Sequence, residues 1–534
     1  MERLELTRPV LSTAAMRDAD RATIEDFGIP GYTLMESASR AAATSIQERF
    51  ELGAGSRVLV LAGHGNNGGD GLAIARILAG RRIAVTVVTT AAPGASSPDA
   101  EKNLALLMAM VREGAGDLRV LGTDAPVKKL ASEADVVIDA LLGIGVTGRL
   151  REPIRSLALA CRSAKHVVAV DVPSGVDSDR GVATDDATVR AELTITMAAM
   201  KPGLLFGEGR AAAGEVVVAE IGIPPHIFRG ALMQPGSARL ATDEMVTALL
   251  PKRAGDAHKN SAGRVLVMAG SDAFTGAAAL ASMAAGRTGA GYVTCASTPS
   301  VRAAIDAQSP ATATVALPTS PTGGLTADAA EEIVARAASA DALLIGPGLG
   351  QEPSTVALIA EVLERVDLPI VIDADGLNAL AKLDLERFTP EQRARWVLTP
   401  HLGEFRRLVA AAGRPLDEAD LEQRTWLTPR WAARLGSTLL LKGAPTVTAL
   451  PDGTTFVATE VHSSLAVAGA GDVLAGMIAG FMSQGLAPAE AAVCAQHVGN
   501  AVAASWTANR AGGAMQPTDM TEALPQVLRE RFGA

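Results

Sequence analysis

The chain has 534 residues, 48% apolar and 20% charged, the balance of a water-soluble globular protein and more length than one ordinary core uses. A net charge of −10 and only 3% aromatic residues argue against a grip on nucleic acid or anionic membrane, and against stacking platforms for single strands. There is no apolar run of about 18 residues, no apolar signal region in the opening MERLELTRPV, and three widely spaced cysteines, Cys161, Cys295 and Cys494. The expectation is a cytoplasmic protein with reduced core thiols and no membrane span.

A helix is expected over Thr13–Asp26, with Ser12 or Thr13 as N-cap and Gly28 and Pro30 as the stop; an Ala-rich helix follows over Leu34–Phe50. RVLVLA at Arg57–Ala62 reads as a buried strand. GHGNNGGDG comes next, then an apolar helix over Leu72–Leu78 and a strand over Ile83–Thr89. This strand–loop–helix–strand unit opens a doubly wound parallel sheet, the α/β class. Gly63, Gly65 and Gly68 fit the G-x-G-x-x-G spacing of a dinucleotide loop. However, the next strand ends in Thr89 and Thr90, with no acidic residue to hold a ribose hydroxyl. The loop also carries Asn66, Asn67 and Asp70, which a pyrophosphate loop does not need, so it reads as a ligand loop of another kind.

VVIDALL at Val136–Leu142 leads into GIGVTGR at Gly143–Arg149, and Val167–Val170 leads into DVPSGVD at Asp171–Asp177. Ligands of open parallel sheets sit beyond the carboxyl ends of the strands, so these loops would gather Asn67, Asp70, Asp139, Asp171 and Ser174. Any one of these residues alone reads as a turn or cap. Together, each after its own strand, they make a site whose oxygen donors suit a hard cation.

In order, NNGGDG, DALLGIGVTG, DVPSGVD and KPG at Lys201–Gly203 resemble the N-terminal domain of the NAD(P)H-hydrate epimerases, over about Leu11–Pro224. The resemblance implies a Rossmann-like domain that interconverts the R and S epimers of hydrated NAD(P)H. It implies that Asn66, Asn67, Gly68, Gly69 and Asp70, with Gly143, Ile144, Gly145, Val146, Thr147, Gly148 and Arg149, contact the hydrate. It also implies that Asp171 is catalytic at the reactive carbon, and that Asn67, Asp139 and Ser174 hold a potassium ion. MESAS at Met35–Ser39 departs from the family's usual MENAG, which bears on the packing or a phosphate contact of that helix.

Ile223–Ala241 mixes Pro, Gly and isolated apolar residues without a period. Residues 225–241 are therefore expected as a linker between domains at 1–224 and 242–534. HKNSAG at His258–Gly263 precedes a strand at Arg264–Ala269, the loop GSDAFTG and a helix over Ala277–Arg287, the same unit built again. Ala342–Ile345 then enters GPGLG, Pro369–Ile372 enters DADGLN, Trp396–Leu398 enters TPHLGE, and Thr438–Leu441 enters KGAPT. This half also reads as a parallel sheet with its ligand loops at one end. No G-x-x-x-x-G-K-[ST] occurs, so no P-loop holds a nucleotide. AGAGDVLAG at Ala468–Gly476 reads in two ways. Backbone N–H groups at a Gly-rich helix entry can hold an anion, with Asp472 beside it to take a proton from a hydroxyl. Alternatively, Asp472 is only a cap.

The order GPGLG, DADGLN, TPHLGE, KG and GAGD resembles the ribokinase-like fold, and within it the ADP- or ATP-dependent NAD(P)H-hydrate dehydratases, over about Thr242–Leu528. The resemblance implies that Lys442, Gly443, Ala444, Pro445, Thr446 and Gly471 hold the nucleotide, with Mg²⁺, while Gly348, His401 and catalytic Asp472 face the hydrate. GAGD stands where the family more often has GTGD; a hydroxyl is lost and both glycines are kept. His462 and His497 read as structural. One chain would then epimerise NADHX and NADPHX and dehydrate the S form with ADP, giving AMP and phosphate, as a homo-oligomer. The other reading is a ribokinase-like small-molecule kinase fused to a non-catalytic Rossmann-like binding module. TPHLGE and the presence of Asn67, Asp139, Asp171 and Ser174 speak against it.

Overall fold

The computed structural model describes residues 2–92, 94–145, 148–253, 262–413 and 415–534. The chain forms two compact units, Pro9–Ala238 and Arg239–Ala534 with Met1–Arg8. In the first, β1 (Arg57–Ala62), β2 (Ala84–Thr89), β3 (Leu118–Leu121), β4 (Val136–Ala140), β5 (Val167–Val170), β6 (Leu193–Met197) and β7 (Glu215–Ala219) lie side by side. All run parallel, in the order β3–β2–β1–β4–β5–β6–β7. Every position of β4 and β5 is buried, as in a sheet covered on both faces. Successive residues of β1 serve opposite faces. Val58, Val60 and Ala62 join the core under the helices Gly31–Arg49 and Asn66–Gly80, and Leu59 and Leu61 join the one under Val127–Glu133 and Ile154–Ala160. Strand order reverses between β1 and β4. That crevice is where doubly wound sheets take their ligands.

Two local expectations are corrected here. Asn66–Asp70 is not a free loop; it is the first turn of the helix Asn66–Gly80. Its glycines permit this start, because a Cβ on Gly68 would overlap the Gly63 carbonyl and one on Gly69 would press on Met35. The first helix, capped by Ser12, runs Thr13–Arg21 and then widens into a π turn at Ala22–Asp26. Residues 225–241 are ordered elements. The helix Pro225–Ala231 buries Ala231 in the first unit's core, and Ala238–Leu240 is a strand of the other sheet, so the units part between Ala238 and Arg239.

The second unit carries an eleven-stranded sheet. Arg264–Met268, Tyr292–Ser297, Ala313–Ala316, Ala342–Ile345, Ile370–Ile372, Trp396–Leu398 and Thr438–Leu441 are parallel. Val447–Ala449 and Thr455–Val457 then each pair antiparallel to the strand before. KGAPT is therefore a hairpin turn between antiparallel strands, where the sequence reading expected this half to be a parallel sheet. The strand order reverses between Arg264–Met268 and Ala342–Ile345, and the loops after those two strands are GSDAFTG and GPGLG. The helix Ala470–Ser483 lies tight against Thr275–Arg287. A Cβ on Gly476 would overlap the Ala281 carbonyl, and one on Gly480 the Thr288 hydroxyl. Small residues let these two backbones approach, and their approach sets where Asp472 stands.

Candidate active sites

At the first switch point, Asp139 sits within β4 and is fully buried. Its Oδ1 accepts from Ser174 Oγ at 2.7 Å and Leu141 N at 3.2 Å, and its Oδ2 accepts from Ser174 N at 2.8 Å. Burial pushes Asp139 up to about 6, against the pull of those hydrogen bonds. The nearby Asn67 amide is buried with neither its oxygen nor its nitrogen bonded. A buried polar pair without partners is costly, so it marks a place for a ligand.

Asp171 follows β5 directly, with φ at +67°, a left-handed conformation unusual for a residue with a side chain. Its Oδ1 receives Lys201 Nζ at 2.5 Å, and its Oδ2 receives Ile144 N at 3.4 Å. A Cβ on Gly143 would lie 3.1 Å from that Oδ2 and 3.2 Å from Asn67 Cβ. The structure thus brings Asn67, Gly143, Ile144 and Asp171 together, with Asp139 and Ser174 at the same strand ends. Asp70 is raised well above the carboxylate range by burial, then by the charges of Asp171 and Asp20. Asp20 itself is raised to about 6 by burial, with Lys201 opposing and Asp171 adding. Asn66, Gly145, Gly148 and Arg149 are exposed, and Val146 and Thr147 lie outside the described residues. The altered Ser39 of MESAS is buried and donates to the Asp70 carbonyl at 3.3 Å.

Sequence reasoning missed Lys201 and Asp20 as site residues. KPG was visible as a motif, but no spacing rule pairs a lysine with a carboxylate thirty positions earlier. Asp20 arrives on the helix Thr13–Arg21, far from any strand-end loop.

At the second switch point the N-cap of Ala470–Ser483 is Gly469, at φ +93°, and Asp472 stands in the first helical turn. The cap reading of Asp472 therefore fails. Burial is the first cause that lifts Asp472 to about 6; repulsion from Asp373 adds, Lys442 opposes, and Glu404 and Asp375 add a little more. Lys442 Nζ lies 2.6 Å from the buried Asp373 Oδ1, and a Cβ on Gly471 would come within 3.1 Å of that Nζ. A lysine and a helix N-terminus here face one point, the arrangement that holds phosphate. Glu404, raised by burial, accepts from His401 N at 2.8 Å. His401 is the N-cap of Leu402–Ala411; its Nδ1 accepts from Gly403 N at 2.9 Å, its Nε2 lies 3.4 Å from Glu404 Oε1, and the ring is exposed. Gly348, at φ +66°, packs against Phe274 of the GSDAFTG loop. Asp373 and Glu404 were seen only as motif letters, because the sequence does not reveal that both carboxylates are buried around one lysine. His462 pairs with Glu460 at 2.9 Å and His497 with Asp243 at 2.7 Å, structural roles as expected.

Two doubly wound units, each with acid–base groups at its switch point and one with a phosphate-ready helix end, define a two-site enzyme acting on small molecules. Residues 31–203 match the family described as YjeF-related protein N-terminus, and residues 265–526 match NAD(P)H-hydrate dehydratase. The chain is 44% identical to the bifunctional NAD(P)H-hydrate repair enzyme Nnr of Salinibacter ruber, over 99% of this chain and 97% of that protein. It is 37% identical to the enzyme of the same name from Moorella thermoacetica, over 97% and 96%. An ADP/ATP-dependent NAD(P)H-hydrate dehydratase from Bacillus subtilis, co-crystallised with ATP and Mg²⁺, is 32% identical; the match covers 55% of this chain and 98% of that one, with a TM-score of 0.47. This chain belongs to the family of bifunctional NAD(P)H-hydrate repair enzymes, which pair an epimerase with a dehydratase. Among the described residues no helix is long and apolar enough to cross a membrane.

Proposed function

We propose that the unit Pro9–Ala238 epimerises hydrated NADH and NADPH, and that the unit Arg239–Ala534 dehydrates the S epimer at the expense of ADP. The observation that carries the second assignment is Asp472, lifted to about 6 in the first turn of its helix beside the Lys442–Asp373 pair. The hydrate bears a hydroxyl next to its ring nitrogen, and hydroxide leaves poorly. Asp472 takes the hydroxyl proton as the oxygen attacks the terminal phosphoryl group of ADP. The N–H groups at the head of Ala470–Ser483 and the Lys442 ammonium hold the charge that develops there. Phosphate then leaves as the nitrogen lone pair forms an iminium to the same carbon, the adjacent ring carbon gives up a proton to solvent to restore the dihydropyridine, and AMP remains. Lys442–Thr446 and Gly471 hold the nucleotide, and Gly348 and His401 border the hydrate. Mg²⁺, when bound with the nucleotide phosphates, neutralises their charge.

This reading sets a pH dependence. A general base works when ionised, so kcat/KM for dehydration falls as pH drops through about 6, not through the ordinary aspartate range near 4. Initial rates on S hydrate across that range measure it. A rate still flat at about pH 5 contradicts the assignment.

In the first unit, Asp171 exchanges the proton of the hydroxyl while the carbon centre opens and recloses. Asn67, Asp139 and Ser174 fit a potassium ion. One carboxylate, buried and raised, and one unpartnered amide supply oxygen for a single positive charge, without the several carboxylates a divalent ion gathers. A potassium ion held by these residues would tie together the segments that follow β1, β4 and β5. Exchanging potassium for lithium is therefore expected to slow epimerisation and to leave dehydration of pure S hydrate unchanged by this site. Equal epimerisation rates in both salts would remove the ion from the account.

A further inference from the structure

Lys201 is buried to 1% exposure, and its ammonium group is fully committed. It donates to Asp171 Oδ1 at 2.5 Å, Thr196 Oγ1 at 2.9 Å and the Met197 carbonyl at 2.8 Å, which uses all three protons. The same Oδ1 also accepts from Met197 N at 3.3 Å and Thr196 Oγ1 at 3.4 Å. Oδ2 is treated differently. Among the described residues its one donor is Ile144 N at 3.4 Å, and it faces the space that Gly143 leaves by having no side chain, bordered by the Asn67 amide, which has no partner among them. One oxygen is saturated and the other has lone pairs to spare. Thr196 and Met197 belong to β6, so the clamp on Oδ1 is anchored in the sheet.

We propose that Lys201 is the positioning residue of the epimerase centre, holding Asp171 by Oδ1 so that Oδ2 is the oxygen that takes the hydroxyl proton of the hydrate at the Gly143 gap. The inference rests on reading Asp171 as the base. In ring opening, the hydroxyl O–H bond breaks and its proton goes to Oδ2. The oxygen closes a C=O bond, the bond from that carbon to the ring nitrogen breaks, and the nitrogen takes a proton. Reclosure on the other face reverses each step, so no oxidant or reductant is needed. Among the described residues Lys201 contacts Asp171, and Asp20 from the helix Thr13–Arg21 and Asp70 from the helix Asn66–Gly80 lie close enough to feel its charge. The proton taken by Oδ2 is the one passed to nitrogen, and it returns by the same route on reclosure.

The test uses the full chain, with thermal melting of the first unit as the check that each variant is folded and dehydration of pure S hydrate as the activity reference from the other unit. Lys201→Met is expected to lower kcat for epimerisation by on the order of 10²-fold with KM within about twofold. The acidic limb of its pH–rate profile should move to higher pH, because the carboxylate has lost its counter-charge. Lys201→Arg should keep the limb near its parental place. Thr196→Val removes one anchor and keeps the charge, so it should shift the limb the same way by less; it carries the test if Lys201→Met does not fold. Epimerisation by Lys201→Met within about threefold of the parent, or a lower kcat with the acidic limb unmoved, would overturn the proposal. Asp171→Asn is run alongside. If it still epimerises, the reading of Asp171 falls; if it is inactive while Lys201→Met matches the parent, only the role of Lys201 falls.

Discussion

Asp472→Asn is expected to lose nucleotide-dependent dehydration by on the order of 10²–10⁴ in rate, while epimerisation continues. The substitution keeps the shape of the side chain and removes the proton acceptor. It costs no helix cap, because Gly469 holds that position. Lys442 keeps its partner Asp373, so ADP binding through Lys442–Thr446 should persist and can be followed by calorimetric titration. A cap lost would instead cost about 1 kcal/mol of stability and leave the chemistry nearly untouched. The two roles thus predict different damage. Dehydration within a few-fold of the parent would leave Asp472 as a bystander charge. Loss of both activities together would mean that the sites depend on each other.

Asp171→Asn has the larger structural consequence. Epimerisation should fall by on the order of 10²–10⁴, since the proton acceptor is gone. Lys201, at 1% exposure, would also be left as a buried ammonium without its counter-charge. Breaking one side of a buried ion pair typically costs about 3–5 kcal/mol, so the melting of the first unit should move down clearly. Adding Lys201→Met to Asp171→Asn removes the orphaned charge. The double variant is expected to regain much of that stability and none of the epimerisation, a separation that thermal melts and initial rates read directly. A single Asp171→Asn variant with parental melting would show that the buried ammonium does not depend on the Asp171 charge.

Much of both sites was legible because parallel strands read as short apolar runs and ligands gather where those runs end. That rule points to Asn67, Asp139, Asp171 and Ser174; the structure puts Asp139 inside β4, Asp171 directly after β5 and Asn67 in the first turn of Asn66–Gly80, and nothing in their spacing sets the distances between them. What stayed hidden depends on contacts made across the chain. The Lys201–Asp171 pair forms because β5 and β6 are neighbours. Asp20 reaches the site on a helix whose sequence shows only ordinary amphipathic spacing. The helix start at Asn66 read as a ligand loop, since its glycines serve close packing as well as freedom. The antiparallel turn at KGAPT stayed hidden because a hairpin and a parallel crossover both begin where an apolar run stops. The stretch 225–241 lacked a period because it holds one short helix and one short strand that belong to different units.

The central claim is that one chain feeds both epimers of the hydrate through two separate sites. It is tested most directly by giving the purified protein a mixture of R and S hydrates with ADP and following the return of dihydronicotinamide absorbance to its end. The parent is predicted to recover the whole mixture. Asp171→Asn should stop near the S share and creep on only as fast as the epimers interconvert unaided, and Asp472→Asn should recover almost nothing. A parent that halts at the S share, or an Asp171→Asn variant that completes the mixture at the parental rate, would contradict the account.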